Sequence, residues 1–143
     1  MDFDFVKHKD CNSDDILSIC KLKEQHWDYD IAEQKRWIET NMNNDDVHLL
    51  LKNQNELIGY LSMTNVSMKL DDRISNVVGI GSVCVKKDLK GEKIGFLIMQ
   101  LANYYLSKSN RLGALLCKKD LKNFYIKCGW KIFSNKVMIN DEP

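Results

Sequence analysis

Proline is nearly absent from this sequence: the one proline is the last residue, Pro143, so no proline-rich linker divides the chain. Paired cysteines are absent too. Cys11, Cys20, Cys84, Cys117 and Cys128 form no CxxC pair, and an odd number at irregular spacing argues against a disulfide framework or a zinc site. Cys84 and Cys117 fall in apolar stretches, where a free thiol behaves as a small hydrophobe. No bound metal is expected, and a reducing cytosol is the expected setting. No apolar run is long enough to span a bilayer. The first residues, Met1-Asp2-Phe3-Asp4-Phe5, lack the apolar centre of a signal peptide, so no leader is expected. Repeats and low-complexity tracts are missing. What remains is 44% hydrophobic and 29% charged, the composition of a soluble domain, and one domain over residues 1–143 is expected.

Charge is uneven along the chain. Residues 1–85 hold 9 Lys/Arg against 15 Asp/Glu, and residues 86–136 hold 12 against 3. The basic half suits a polyanionic ligand, the acidic half a cationic partner such as an amine, and a plain solvated surface accounts for either.

Alternation of apolar and polar residues predicts a strand over residues 3–8. Asn12 or Ser13 can cap a helix with Ile16, Ile19, Cys20 and Leu22 on its apolar face. A polar and aromatic joint follows, then a second helix over residues 31–42. Residues 47–52 and 56–68 read as a strand pair around Asn53-Gln54-Asn55. A long strand over residues 74–85 carries Gly79-Ile80-Gly81, where a bulge is expected. Next come a basic glycine loop, a helix to about Ser107 and a short strand over residues 112–118. Asp120 caps a short helix stopped by Gly129, and residues 130–139 form the last strand. The order is β-α-α-β-β-β-α-β-α-β, a mixed α/β domain.

The junction Val83-Cys84-Val85-Lys86-Lys87-Asp88-Leu89-Lys90-Gly91-Glu92-Lys93-Ile94-Gly95 holds most of the chemistry. A strand runs into a glycine loop and then a helix start. That arrangement points free backbone N–H groups outward beside lysines, a site for phosphate or pyrophosphate. An ordinary strand–helix turn would read the same way. Together with the later Asn123-Phe124-Tyr125-Ile126-Lys127-Cys128-Gly129-Trp130, however, it resembles the GNAT superfamily of acetyl-CoA-dependent acetyltransferases. The family loop is Arg/Gln-x-x-Gly-x-Gly/Ala; here Lys90 stands first, Gly95 last, and Lys93 replaces the middle glycine. The tail matches the family's Phe-Tyr-x-x-x-Gly-Phe/Trp. Within the family the chain most resembles the aminoglycoside 2'-N-acetyltransferases, through His48-Leu49-Leu50, the loop, Leu112-Gly113-Ala114-Leu115 and residues 125–130. Those enzymes also tend to carry a basic residue where Lys93 stands. The resemblance covers residues 45–133 and is weak before them.

The resemblance implies a mostly antiparallel central sheet flanked by helices, with acetyl-CoA as acyl donor to the primary amine of a small molecule, an amino sugar among the candidates. It implies that the backbone of Lys90, Gly91, Glu92, Lys93, Ile94 and Gly95 cradles the CoA pyrophosphate. Val83, Cys84 and Val85 would pair with the pantetheine arm, as an added strand does. The Val83 N–H would serve as oxyanion donor and Asn123 would support the arm. Tyr125 would protonate the leaving thiolate. As plain structure, the same valines and Tyr125 would be core and Asn123 an exposed helix residue. The family's usual glutamate base has no counterpart, because those positions read Ile80, Gly81 and Ser82. Ser82 is too weak a base alone. His26, Asp28 and His48 remain as candidates, acting through water. His26, Trp27, Asp28, Tyr29 and Ser82 would border the acceptor, although Trp27 and Tyr29 could equally pack under the helices. Cys117 is expected to be core and not a nucleophile. A protein or peptide acetyltransferase and a non-catalytic CoA-binding module stand as alternatives, and a homodimer is allowed for. Nucleic-acid binding is disfavoured, since no aromatic stacking pattern accompanies the basic residues.

Overall fold

In the computed structural model, residues 1–70, 72–91, 93–132 and 137–140 are described. Seven strands form one sheet: β1 (Asp2–Lys7), β2 (Val47–Asn53), β3 (Glu56–Leu70), β4 (Arg73–Val85), β5 (Gly113–Leu116), β6 (Lys131–Ile132) and β7 (Val137–Asn140). Their spatial order is β1-β2-β3-β4-β5-β7-β6. All neighbours are antiparallel except β4 and β5, joined through α3 (Ile94–Lys108). The expected mixed α/β fold with a mostly antiparallel sheet is present.

Period-2 patterning builds three layers. Leu49 and Leu51 of β2 and Ile58 and Leu61 of β3 point to one face, where α3 supplies Ile98, Met99, Ala102 and Leu106. Leu50, Tyr60 and Cys84 point to the other, covered by Ile16, Ile19 and Cys20 of α1 (Ser13–Glu24) and Ile38 of α2 (Ile31–Asn41). The short α4 (Lys122–Lys127) brings Tyr125 to the α3 face beside Cys128 and Trp130. Among the described residues, no helix is long and apolar enough to cross a membrane.

Local chemistry sets the element ends. Asn12 caps α1 by accepting from the Asp15 N–H at 2.8 Å. Asp30 and Glu33 form a reciprocal capping box on α2. Gly129 ends α4 at φ +95°, as its sequence position suggests. Asp120 does not cap that helix. It lies in a 3-10 turn, Lys119–Leu121, that precedes the helix, whose N-cap is Leu121 without a side-chain bond. The bulge in β4 is also displaced from Gly79-Ile80-Gly81. Tyr60 pairs with Cys84 and Ser62 with Gly81, so the extra residue falls between Gly81 and Cys84. Ser82 takes it up at φ +54°.

Candidate active site

The parallel pairing of β4 with β5 is brief: Val78 with Gly113, Gly79 with Ala114, Ile80 with Leu115. Beyond Ile80 the strands part, and among the described residues no strand pairs with the β5 side of residues 81–85. That leaves a row of backbone donors and acceptors at a sheet interior without a neighbouring strand, as an added extended arm requires, up to the Val85 carbonyl, which His26 takes. The bulge at Ser82 re-aims the peptide groups in the same stretch.

Below it lies the loop. Gly91 sits at φ +89° and Lys93 at φ +63°, both left-handed. Lys93 is the N-cap of α3 and its side chain makes no capping bond. Among the described residues, no side chain is recorded meeting the first N–H groups of α3, which is the condition for binding an anion there. Lys90 and Lys93 are exposed around them. Glu92 lies outside the described residues. Ile94 is buried in the core, leaving only its backbone to the loop. A Cβ on Gly95 would lie 3.5 Å from the Phe124 ring and 3.8 Å from a Val85 methyl. The loop, the end of β4 and the Phe124-Tyr125 segment thus meet. The Cys84 side chain points to the opposite face, and burial pushes its thiol up to about 12.

Tyr125 is buried among the core residues on the α3 face. Burial, helped by the nearby Cys117 and Cys128 thiols, pushes its phenol up to about 12, so it holds its proton at neutral pH. No described residue hydrogen-bonds its hydroxyl, and no sealed side-chain N or O lacks a partner, so the hydroxyl reaches the surface. Asn123 is exposed on α4.

The joint between α1 and α2 is tied to the end of β4. The His26 Nε2–H donates to the Val85 carbonyl at 2.6 Å, and the Lys87 N–H donates to Gln25 Oε1 at 2.9 Å. Beside this joint is a cleft of about 530 Å³. Trp27, Tyr29 and Ser82 line it, so three of the expected acceptor residues come together. His26 and Asp28 do not line it. The remaining lining comes from one stripe of α2 (Glu33, Arg36, Trp37, Thr40, Asn41), with Gln34 and Lys23.

Lys23 is the residue the sequence reading passed over. It stands at the next helical step after Ile16, Ile19 and Cys20, on the apolar stripe, and a lysine there was the available signal. It is 5% exposed. Its Nζ lies 4.6 Å from the Trp37 ring centroid and 6.0 Å from that of Trp27. Burial pulls the ammonium below the usual lysine range, and the Cys84 and Cys20 thiols oppose that.

His48 is fully enclosed on β2, at 0% exposure. Its Nδ1 is 2.6 Å from the Tyr60 hydroxyl and its Nε2 is 3.0 Å from His8 Nδ1. Burial raises the Tyr60 phenol, which keeps its proton at neutral pH, and both ring nitrogens of His48 are engaged. Burial first, then His8 and Lys23, lower His48 to about 4. No cluster of three or more potential metal ligands occurs among the described residues.

The family described as "Acetyltransferase (GNAT) domain" matches residues 8–140. Among solved structures, Escherichia coli ElaA superposes with a TM-score of 0.76 at 19% identity, over 99% of this chain and 100% of that one. A GNAT family acetyltransferase from Brucella melitensis, solved with acetyl-CoA, gives 0.70 at 15% identity over 99% and 90%. An aminoglycoside 6'-N-acetyltransferase complexed with coenzyme A gives 0.71 at 15% identity over 97% and 94%. At these identities the structures speak for the fold alone.

Proposed function

Since the chain belongs to the family of GNAT acetyltransferase domains, we propose that it transfers an acetyl group from acetyl-CoA to the primary amine of a small molecule by direct attack. The observation that carries this reading is the convergence of three features: the open backbone of residues 81–85, the start of α3 with no side-chain cap, and the Phe124-Tyr125 segment. Lys90, Gly91, Lys93 and the α3 N–H groups would hold the pyrophosphate, and residues 83–85 the pantetheine arm. When bound, acetyl-CoA supplies an activated acetyl thioester.

The chain's own residues would do the rest. The Val83 N–H, next to the Ser82 bulge, would stabilise negative charge growing on the acyl oxygen. Tyr125, neutral at physiological pH with an unclaimed hydroxyl, would give its proton to the departing sulfur. Trp27, Tyr29 and Ser82 would bring the acceptor nitrogen to that point. A base role for His48 would have to pass through His8, its half-buried neighbour, because both His48 nitrogens are engaged. An amino sugar is a fitting acceptor for a cleft this size. Five free thiols suit a cytosolic setting.

Two measurements test the reading. Millimolar acetyl-CoA should raise the melting temperature, and the absence of any shift would remove both the transferase and a CoA-binding module. Thiol release with an amine panel then separates those two. A Tyr125→Phe variant should lose roughly 10²-fold in kcat while binding CoA as before; full turnover would discharge Tyr125 as the acid.

A further inference from the structure

We propose that Lys23 forms an anion-binding subsite inside the acceptor cleft, so that the acceptor is an amine carrying a carboxylate or phosphate. The proposal rests on the N-acetyltransferase reading of that cleft and narrows its substrate class.

An ammonium taken out of water needs a counter-charge or hydrogen bonds to offset its desolvation. Lys23 has neither from the described residues. No carboxylate among them approaches within 4.0 Å of its nitrogen. What surrounds it are the indoles of Trp37 and Trp27, which stabilise positive charge through their faces but fill none of its three N–H positions. The nitrogen is not sealed in, because no fully buried side-chain N or O lacks a hydrogen-bond partner. Lys23 itself lines the cleft. A methionine or leucine would continue the apolar stripe of α1 at far lower cost; a caged, directed cation is what an anionic guest requires.

The other charges of the cleft fit the same guest. Arg36 adds a second cation from α2. Glu33 is the one carboxylate of the lining, and one of its oxygens already accepts from the Asp30 N–H at 3.3 Å. Ser82, on the β4 bulge, borders the same cleft. The acceptor would thus lie with its amine toward β4 and its anionic group toward Lys23, an orientation that fixes which nitrogen is acylated.

The test compares matched acceptors that differ only in the anion: glucosamine 6-phosphate with glucosamine, and lysine with lysinamide. In the wild-type protein at least one anionic member should exceed its neutral twin roughly tenfold in kcat/KM. Which pair shows the preference tells phosphate from carboxylate. In Lys23→Met that ratio should fall about tenfold, to near one, as loss of a charge-assisted hydrogen bond does, and Lys23→Arg should retain most of it. Two outcomes overturn the subsite: a wild-type ratio at or below one in both pairs, or Lys23→Met depressing both members equally. Should acetyl-CoA raise the melting temperature while no amine turns over, the transferase reading fails separately. The subsite is then read by tryptophan fluorescence, since Trp27 and Trp37 flank the nitrogen. Tighter titration by the anionic twin in the wild type, lost in Lys23→Met, supports it; equal titration by both twins overturns it.

Discussion

Protonating His48 is a cost the folded chain carries alone. The residue is enclosed and lowered to about 4, whereas an unfolded histidine titrates near its ordinary 6.5. Above pH 6.5 both states hold it neutral, and its contribution is intact. Below that the unfolded chain takes up a proton that the folded chain refuses until about pH 4. Stability should therefore fall as pH drops from 6.5 toward 4, by about 3 kcal/mol in all and ~1.4 kcal/mol per pH unit mid-window. Urea denaturation at pH 7, 6, 5 and 4.5 measures this, and a flat profile would mean that His48 accepts its proton in place. A structural role is the commoner reading of a lone histidine in a sequence, set there beside the base role, but the partners that enclose His48 could not be read from it. Its partners, Tyr60 and His8, are 12 and 40 residues away and are set by sheet register. Lys93 shows the reverse case. It breaks the expected glycine pattern, and the structure puts it where glycine is favoured, at φ +63°. There the sequence departure marked a real backbone position.

Elements followed their patterns where the signal was local. Alternating residues located β1, the Asn53-Gln54-Asn55 turn located the β2–β3 pair, and the apolar stripe located α1. The capping pair Asp30 and Glu33 was present in the sequence, and α2 begins where it says. The bulge was misplaced because its cause is not glycine: Gly79 and Gly81 stay in register, and Ser82 absorbs the extra residue. Gly113 had no visible reason at all. A Cβ there would come within 2.6 Å of Leu106 Cδ1 and 2.8 Å of Trp130 Cη2, two side chains from other elements. Gly113→Ala should therefore destabilise the fold by ~1–3 kcal/mol and lower the melting temperature by several degrees. An unchanged melt would show that Leu106 and Trp130 have room to yield.

Across the whole molecule, the two halves of the site were unequally legible. The proposed donor half is nearly contiguous, from Val83 to Gly95 with a second motif at residues 123–130, so a linear reading could assemble it. The proposed acceptor half draws Lys23, Trp37 and Ser82 from three elements, and only folding puts them around one cleft. The charge split points the same way: the basic residues cluster in the part of the chain that carries the loop, and the acceptor-side helices lie in the acidic part.

The brief contact between β4 and β5 has a consequence for how the molecule opens. Among the described residues, three residue pairs are the only register joining the sheet of β1 to β4 with that of β5 to β7. The sheet is thus two leaves on a short seam, and the seam should part before either leaf frays. Native-state hydrogen exchange should find the amides of Gly113–Leu116 opening at lower free energy than those of β2, which is paired along its length on both sides. An extended arm laid along residues 81–85 would lengthen that seam. Slower exchange in β5 with acetyl-CoA present would make the donor a fastener of the fold as well as a reactant, and identical exchange would show that the leaves hold without it.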